Sequence, residues 1–115
     1  MELAVTSELR PGAVVVRVAG ELDMASSPEL AEHVDGMELG PAVALVVDLG
    51  GVTFLDSSGL NSLVALRRAV MDLEGRLGLV AGERTVRLLQ VTNMDDVFAM
   101  YDSVELAVDD LSRAV

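Results

Sequence analysis

The apolar run at residues 43–49, Val-Ala-Leu-Val-Val-Asp-Leu, restricts the fold of this chain more than any other stretch. A short run that is apolar nearly throughout is typical of a strand covered on both faces, usually in a parallel arrangement. We therefore expect a buried strand here, with other elements packed on both of its faces.

The segment before this run predicts a hairpin. Two strand-like runs, residues 2–9 and 13–19, flank the turn signal Pro11-Gly12, so they should pair in an antiparallel arrangement. In the second run, Val14, Val16 and Val18 share one face because side chains alternate along a strand. Gly20-Glu21-Leu22-Asp23 is predicted to be the loop that follows.

Helical signals alternate with the remaining strands. Ser27 before Pro28 suits the N-cap and first position of a helix, whose predicted apolar stripe is Leu30, Ala31, Val34 and Met37. The later elements are predicted to be a helix over 57–73, a strand over 76–80, a helix over 83–91, a short edge segment at 101–104 and a helix over 105–114. In the last helix we expect Leu106 and Leu111 to anchor the core, and Asn93 suits a left-handed cap.

This alternation of elements predicts one α/β domain over residues 1–115. We expect a small mixed β-sheet, made of the N-terminal hairpin plus further strands, packed with about four helices.

The net charge of −11 argues against nucleic acid or an anionic membrane as a partner. Residues 1–60 carry ten acids and two arginines, whereas residues 61–115 carry nine acids and six arginines, so the first half is the more acidic. The acidic bias has two interpretations, which are simple solubility and a basic protein partner.

Several residue types are too scarce for catalysis or metal binding. The chain has no cysteine and no lysine, and its single histidine, His33, makes a His-based metal site or a Ser-His-Asp triad improbable. Asp95-Asp96 and Asp109-Asp110 lack the spacing of a calcium loop. Because no apolar run approaches a membrane span and the N-terminus has no basic region, we expect a cytoplasmic protein. We also expect no cofactor.

The segment from Phe54 to Leu60, Phe-Leu-Asp-Ser-Ser-Gly-Leu, places a carboxylate and two adjacent hydroxyls where a strand turns into a helix. Unpaired backbone N–H groups and the positive end of the helix dipole lie at such a point. One interpretation is that Asp56 or Ser57 is simply an N-cap. The other is that a hydroxyl here accepts a phosphate, which a helix N-terminus favours.

Three segments, in this order and spacing, resemble the STAS-domain family, and in particular its small bacterial anti-sigma-factor antagonists. They are Gly20-Glu21-Leu22-Asp23, Asp56-Ser57-Ser58-Gly59-Leu60, and Thr92-Asn93-Met94-Asp95-Asp96-Val97-Phe98 with its continuation at Glu105-Leu106-Ala107. Each motif is weak alone, but the set spans nearly the whole chain. Asn61 departs from the family pattern, which often has a small residue there, and Asn93 stands where glycine is common.

The resemblance implies a partner-switching protein. The unphosphorylated form would bind an anti-sigma factor that is also a serine kinase, and so free a sigma factor. Phosphorylation of Ser57 would dissociate the complex, and a PP2C-type serine phosphatase would restore the active form. The resemblance also places Asp23, Asp56, Ser58 and Gly59 beside the phosphorylation site. On the predicted helix, Asn61 points outward one turn from Ser57, which would place it in the partner contact.

Two other functions fit parts of the same pattern. An enzyme would use Asp56 and Ser57 as a base and nucleophile, but no histidine or lysine is placed to activate the serine. A STAS-like subunit of a transport or stress-sensing assembly would bind its partner constitutively through the same face, without a phosphate switch. We therefore expect a binding protein and not an enzyme.

Overall fold

The computed structural model describes residues 2–113 of the chain. Across these residues five strands form one sheet in the order β1-β2-β3-β4-β5, and four helices pack on it. The elements are β1 Ala4–Arg10, β2 Ala13–Leu22, α1 Ser27–Asp35, β3 Ala44–Leu55, α2 Ser57–Asp72, β4 Arg76–Val80, α3 Glu83–Val91, β5 Ala99–Tyr101 and α4 Val104–Arg113.

The sheet is mixed, as the sequence predicts. β1 and β2 form the antiparallel hairpin, and β2, β3, β4 and β5 then run parallel to one another. The mixed sheet with four helices confirms the predicted α/β class.

β3 is the buried central strand, because helices cover both of its faces. Leu45, Val47 and Leu49 face the core formed with α1, α2 and α3. Ala44 and Val46 face a second core under α4. Burial of one such large apolar side chain contributes about 1.5–3 kcal/mol, so the two cores fix β3 between its neighbours.

The predicted loop at residues 20–23 is wrong for three of its four residues, since Gly20, Glu21 and Leu22 belong to β2. Gly20 has a φ of +103°, and a Cβ there would lie 2.3 Å from the Glu2 carbonyl oxygen. The pairing of β2 with β3 shifts its register on either side of this residue. The extra residues of this irregular pairing lie on β3, since Gly20 and Glu21 face Val52 and Phe54. The glycine therefore lies within an irregular part of β2 and not at its end.

β3 is also longer than the predicted strand over residues 43–49, and it continues to Leu55. Gly50-Gly51 does not end β3, because β2 pairs with β3 as far as the residue pair Leu22 and Leu55. β4 pairs only with the first part, where the last partners are Asp48 and Val80. The end of β3 therefore extends beyond β4.

Two predicted details of the helices are wrong. The N-cap of α1 is Ser26 and not Ser27, and its hydroxyl serves the preceding loop instead of capping the helix. Ala31 is exposed, so it is not part of the buried stripe of α1.

In α4 the buried side chains are Val104, Ala107 and Leu111, whereas Leu106 is 55% exposed. Leu111 is thus confirmed as a core residue, and the prediction for Leu106 is wrong because that residue lies on the opposite side of the helix.

Small shifts affect the remaining elements. β1 begins and ends later than the predicted 2–9, and the edge segment predicted at 101–104 is the short strand β5, Ala99–Tyr101. The last helix starts one residue before the predicted 105–114, and the end of that range lies outside the described residues. Asn93 adopts the expected left-handed backbone, with a φ of 58°.

Candidate phosphorylation site

The ends of β2 and β3 lie side by side and hold the two predicted acidic residues. Leu22 and Leu55 are partners in the parallel register, so Asp23 and Asp56 each follow their strand at the same edge of the sheet. The backbone N–H of Asp56 donates to the Leu22 carbonyl oxygen at 3.4 Å. The loop after β2 and the start of α2 are therefore adjoining parts of one site.

Asp56 is the N-cap of α2. Its backbone is extended, and its Oδ1 accepts the Gly59 N–H at 3.0 Å. The Leu60 N–H donates to the Asp56 carbonyl oxygen at 2.9 Å, which closes the first helical turn. Of the two residues proposed as a cap, Asp56 serves this purpose, and Ser57 is left free for another role.

Ser57 is the first residue of α2 and is exposed. Within residues 2–113 its hydroxyl makes no hydrogen bond, and neither its backbone N–H nor that of Ser58 has an acceptor. The first turn also carries no acidic side chain. A phosphate on this hydroxyl would lie beside free N–H donors at the positive end of the helix dipole.

The three other motif residues have different surroundings. Ser58 is half-buried, and Asn61 is exposed, as expected for a side chain that points outward. Gly59 is buried, and a Cβ there would lie 2.3 Å from the Leu22 carbonyl oxygen and 2.5 Å from the Leu55 side chain. Gly59 therefore allows α2 to begin directly against the ends of both strands.

Asp23 closes the short loop between β2 and α1. Its Oδ1 accepts the N–H groups of Ser26 at 3.0 Å and Ala25 at 3.1 Å, and the Ser26 hydroxyl lies 3.0 Å away. These bonds, with the Ser26 N–H as the largest cause, hold the pKa of the Asp23 carboxyl below its usual value. Asp23 thus has a structural role in the loop, and its predicted role toward a partner stays a prediction.

Two exposed apolar side chains that the sequence did not single out lie beside these polar residues. Met24, next to Asp23, is 76% exposed, and Phe54, two residues before Asp56, is 51% exposed. Exposed apolar groups next to a polar site are typical of a surface that binds another protein. In the sequence, these two residues were marked only by being apolar and close to Asp23 and Asp56 at the strand ends.

Two further observations concern metal ions and membranes. No group of three or more histidine or acidic side chains between residues 2 and 113 is arranged to hold a metal ion. In the same residues, every helix is too short or too polar to cross a bilayer.

Comparison with known proteins identifies the family. The family model for the STAS domain matches residues 4–107. The crystal structure of an anti-sigma factor antagonist from Mycobacterium paratuberculosis is 33% identical, covers 96% of this chain and 94% of its own, and superposes with a TM-score of 0.84. The anti-sigma-B factor antagonist of Staphylococcus aureus is 29% identical over 92 residues, which are 79% of this chain and 85% of that protein.

The anti-sigma factor antagonist SpoIIAA shares the same fold. Its unphosphorylated form is 23% identical, covers 97% of this chain and 99% of its own, and has a TM-score of 0.76. The phosphorylated form of SpoIIAA from Bacillus is 22% identical, with coverages of 93% and 98% and a TM-score of 0.69. By the extent of the family match, this chain belongs to the STAS domain family.

Proposed function

We propose that this chain is an anti-sigma-factor antagonist whose unphosphorylated form binds an anti-sigma factor with serine kinase activity and so frees a sigma factor. Phosphorylation of Ser57 switches the binding off, and a PP2C-type phosphatase reverses it. The observation that carries the proposal is the exposed Ser57 hydroxyl, which has no hydrogen-bond partner within residues 2–113 and follows directly after the capping Asp56.

The fold can accept the phosphate. A phosphoserine adds about 1.5–2 negative charges at neutral pH, and an exposed helix N-terminus compensates for about 0.3–1 kcal/mol of the cost. No packed side chain has to move, because Ser57 is exposed. SpoIIAA supports this point, since its phosphorylated form retains the fold that this chain shares.

A bound partner cannot accept the phosphate so easily. In a contact with Met24, Phe54 and Asn61, the new charge would be desolvated and would lie near Asp23 and Asp56. An unmatched charge in an interface costs several kcal/mol, and about 1.4 kcal/mol already lowers affinity tenfold. Phosphorylation of one exposed residue is therefore enough to dissociate the complex.

A binding role also agrees better with the site than catalysis does. The Asp56 carboxylate accepts the Gly59 N–H and is fixed as a helix cap. His33 lies on α1, with its Nε2 3.3 Å from the Ser7 hydroxyl of β1. The groups that would have to activate a nucleophilic Ser57 are thus engaged elsewhere.

The test is phosphorylation by the cognate anti-sigma factor in the presence of ATP, followed by intact-mass measurement and fragmentation. We expect one added phosphate on the wild type and on Ser58→Ala, and none on Ser57→Ala. Equal labelling of Ser57→Ala would refute the assignment of the site. Binding of the wild type without any phosphorylation would instead favour the constitutive subunit of a transport or stress-sensing assembly.

A further inference from the structure

The last part of β3 has one free edge. β2 pairs with β3 as far as Leu55, but on the other side β4 pairs only as far as Asp48. Among the described residues, no strand lies beside residues 51–55 on that side. A strand edge of this kind can accept an extended peptide through main-chain hydrogen bonds.

A groove of about 230 Å³ runs along this edge, between residues 52–55 of β3 and the first turns of α3. Its floor and one wall include Phe54 and Leu55, and its opposite wall consists of Arg84, Thr85 and Leu88. The groove directly precedes Asp56 and Ser57, so a segment bound in it would continue the surface around the phosphorylation site.

The α3 wall of the groove is suited to a negative group. The N-cap of α3 is Gly82, which provides no side chain to cap the first N–H groups of the helix. Thr85 lines the groove and is only 6% exposed as a residue. Within residues 2–113 its hydroxyl takes part in no hydrogen bond, and no side-chain oxygen of this part of the chain is both fully buried and unpaired, so the hydroxyl is accessible from the groove. A hydroxyl that is accessible from a groove at a helix N-terminus can donate a hydrogen bond to a bound acceptor.

Arg84 adds a positive charge to the same wall. It is exposed and takes part in no ion pair within the described residues. The acidic Glu83 does not line this groove. The charge at the end of β3 therefore changes sign across the strand, from Asp23 and Glu21 on the β2 side to Arg84 on the α3 side.

We infer that this groove binds an extended segment of the partner protein, which pairs with the free edge of β3 and places an acidic side chain at the N-terminus of α3. Arg84, the Thr85 hydroxyl and the first N–H groups of α3 would hold that carboxylate. The inference rests on the proposed function, because it adds a second contact to the complex with the anti-sigma factor. Because the β2 side of the site is acidic and the α3 side carries Arg84, the positions of charged side chains along the bound segment would decide in which direction it runs.

The test compares two charge reversals on one helix, with binding of the purified cognate anti-sigma factor measured by calorimetry. Arg84→Glu should weaken binding roughly tenfold or more. Arg87→Glu, one turn further along α3, lines a neighbouring cavity and not the groove, and its affinity should stay within about twofold. Thr85→Val keeps the shape of the side chain and removes its hydroxyl. This variant should bind the anti-sigma factor more weakly, while the free protein should still be phosphorylated at Ser57.

Amide hydrogen exchange tests the strand pairing separately, because side-chain contacts alone would not change the exchange rates of the β3 backbone. In the complex, exchange at residues 51–55 should slow by at least about tenfold. Two results would overturn the inference about the groove and leave the proposed function standing. They are equal affinities of Arg84→Glu and Arg87→Glu, and unchanged exchange at residues 51–55 in a complex that forms. Absence of any complex with the wild-type protein would overturn the proposed function and this inference with it.

Discussion

A Cβ on Gly59 would lie only 2.3 Å from the carbonyl oxygen of Leu22, so the helix that presents Ser57 starts in direct contact with the end of a neighbouring strand. Any side chain at position 59 has to push α2 away from β2. The position of the Ser57 hydroxyl is therefore set by the packing of two backbones.

Gly59→Ala should destabilise the protein by about 1–3 kcal/mol, because a backbone oxygen cannot yield as a flexible side chain would. Chemical denaturation measures the change in the free energy of unfolding. Gly40→Ala is the control, since a Cβ at Gly40 meets nothing within 4 Å. If both variants unfold at the same denaturant concentration, the close contact does not exist in solution.

Ser57→Asp should weaken binding to the anti-sigma factor by tenfold or more while the melting temperature changes little, because the position is exposed and a helix N-terminus tolerates an acid. Ser7→Asp adds the same charge at an exposed position of the edge strand β1 and should leave affinity unchanged. Calorimetry on both variants tests the electrostatic switch. Wild-type affinity of Ser57→Asp would speak against it.

The pKa of the Asp23 carboxyl should lie below its ordinary value of 3.8, because the loop N–H groups stabilise its charged form. Its contribution to stability is therefore present above that pH and is lost as the pH falls through the lower, folded-state pKa. Carboxyl carbon NMR measures the midpoint, and the Ser26 amide should shift with it. A midpoint at or above 3.8 would show that the loop bonds are not kept in solution.

Asp23→Asn separates the loop role of this residue from a role toward the partner. The amide oxygen can still accept the N–H groups of Ala25 and Ser26, so the melting temperature should be near that of the wild type. Phosphorylation or partner binding should be impaired if the partner contacts the charge. Wild-type rates and affinity in this variant would remove Asp23 from the site.

Leu63→Ala and Leu106→Ala should differ sharply in stability. Leu63 is 1% exposed, and its truncation should cost about 2–5 kcal/mol, whereas Leu106 is 55% exposed, and its truncation should cost about 0.5 kcal/mol or less. Thermal or chemical denaturation distinguishes them. A large loss in Leu106→Ala would mean that α4 is rotated relative to the sheet.

The sequence predicted those parts of the fold that have local causes. Pro11-Gly12 between two apolar runs is enough to specify a hairpin, and an acid followed by serines after an apolar strand is enough to place the start of α2. The same local chemistry predicts a cap at Asp56 or Ser57, and the structure assigns it to Asp56.

The parts that the sequence could not predict depend on contacts between distant segments. Gly20 looks like the end of a strand, but the chain passes Glu2 closely at that point and the strand continues. Leu106 matches a helical apolar stripe, but which side of α4 meets the sheet is decided by the sheet. The free edge of β3 is visible only once the shorter length of β4 is known.

The hydrogen bond from Asp56 to Leu22, together with the Gly59 contact, has a consequence for the speed of a phosphate switch. The serine follows directly after a junction where two strands and a helix are in contact, so the proposed modification would require no refolding. In the proposed switch, a kinase would have to bind this hydroxyl in the position that the junction gives it. The lifetime of each state would then be set by how fast the partner leaves and how fast the phosphatase arrives.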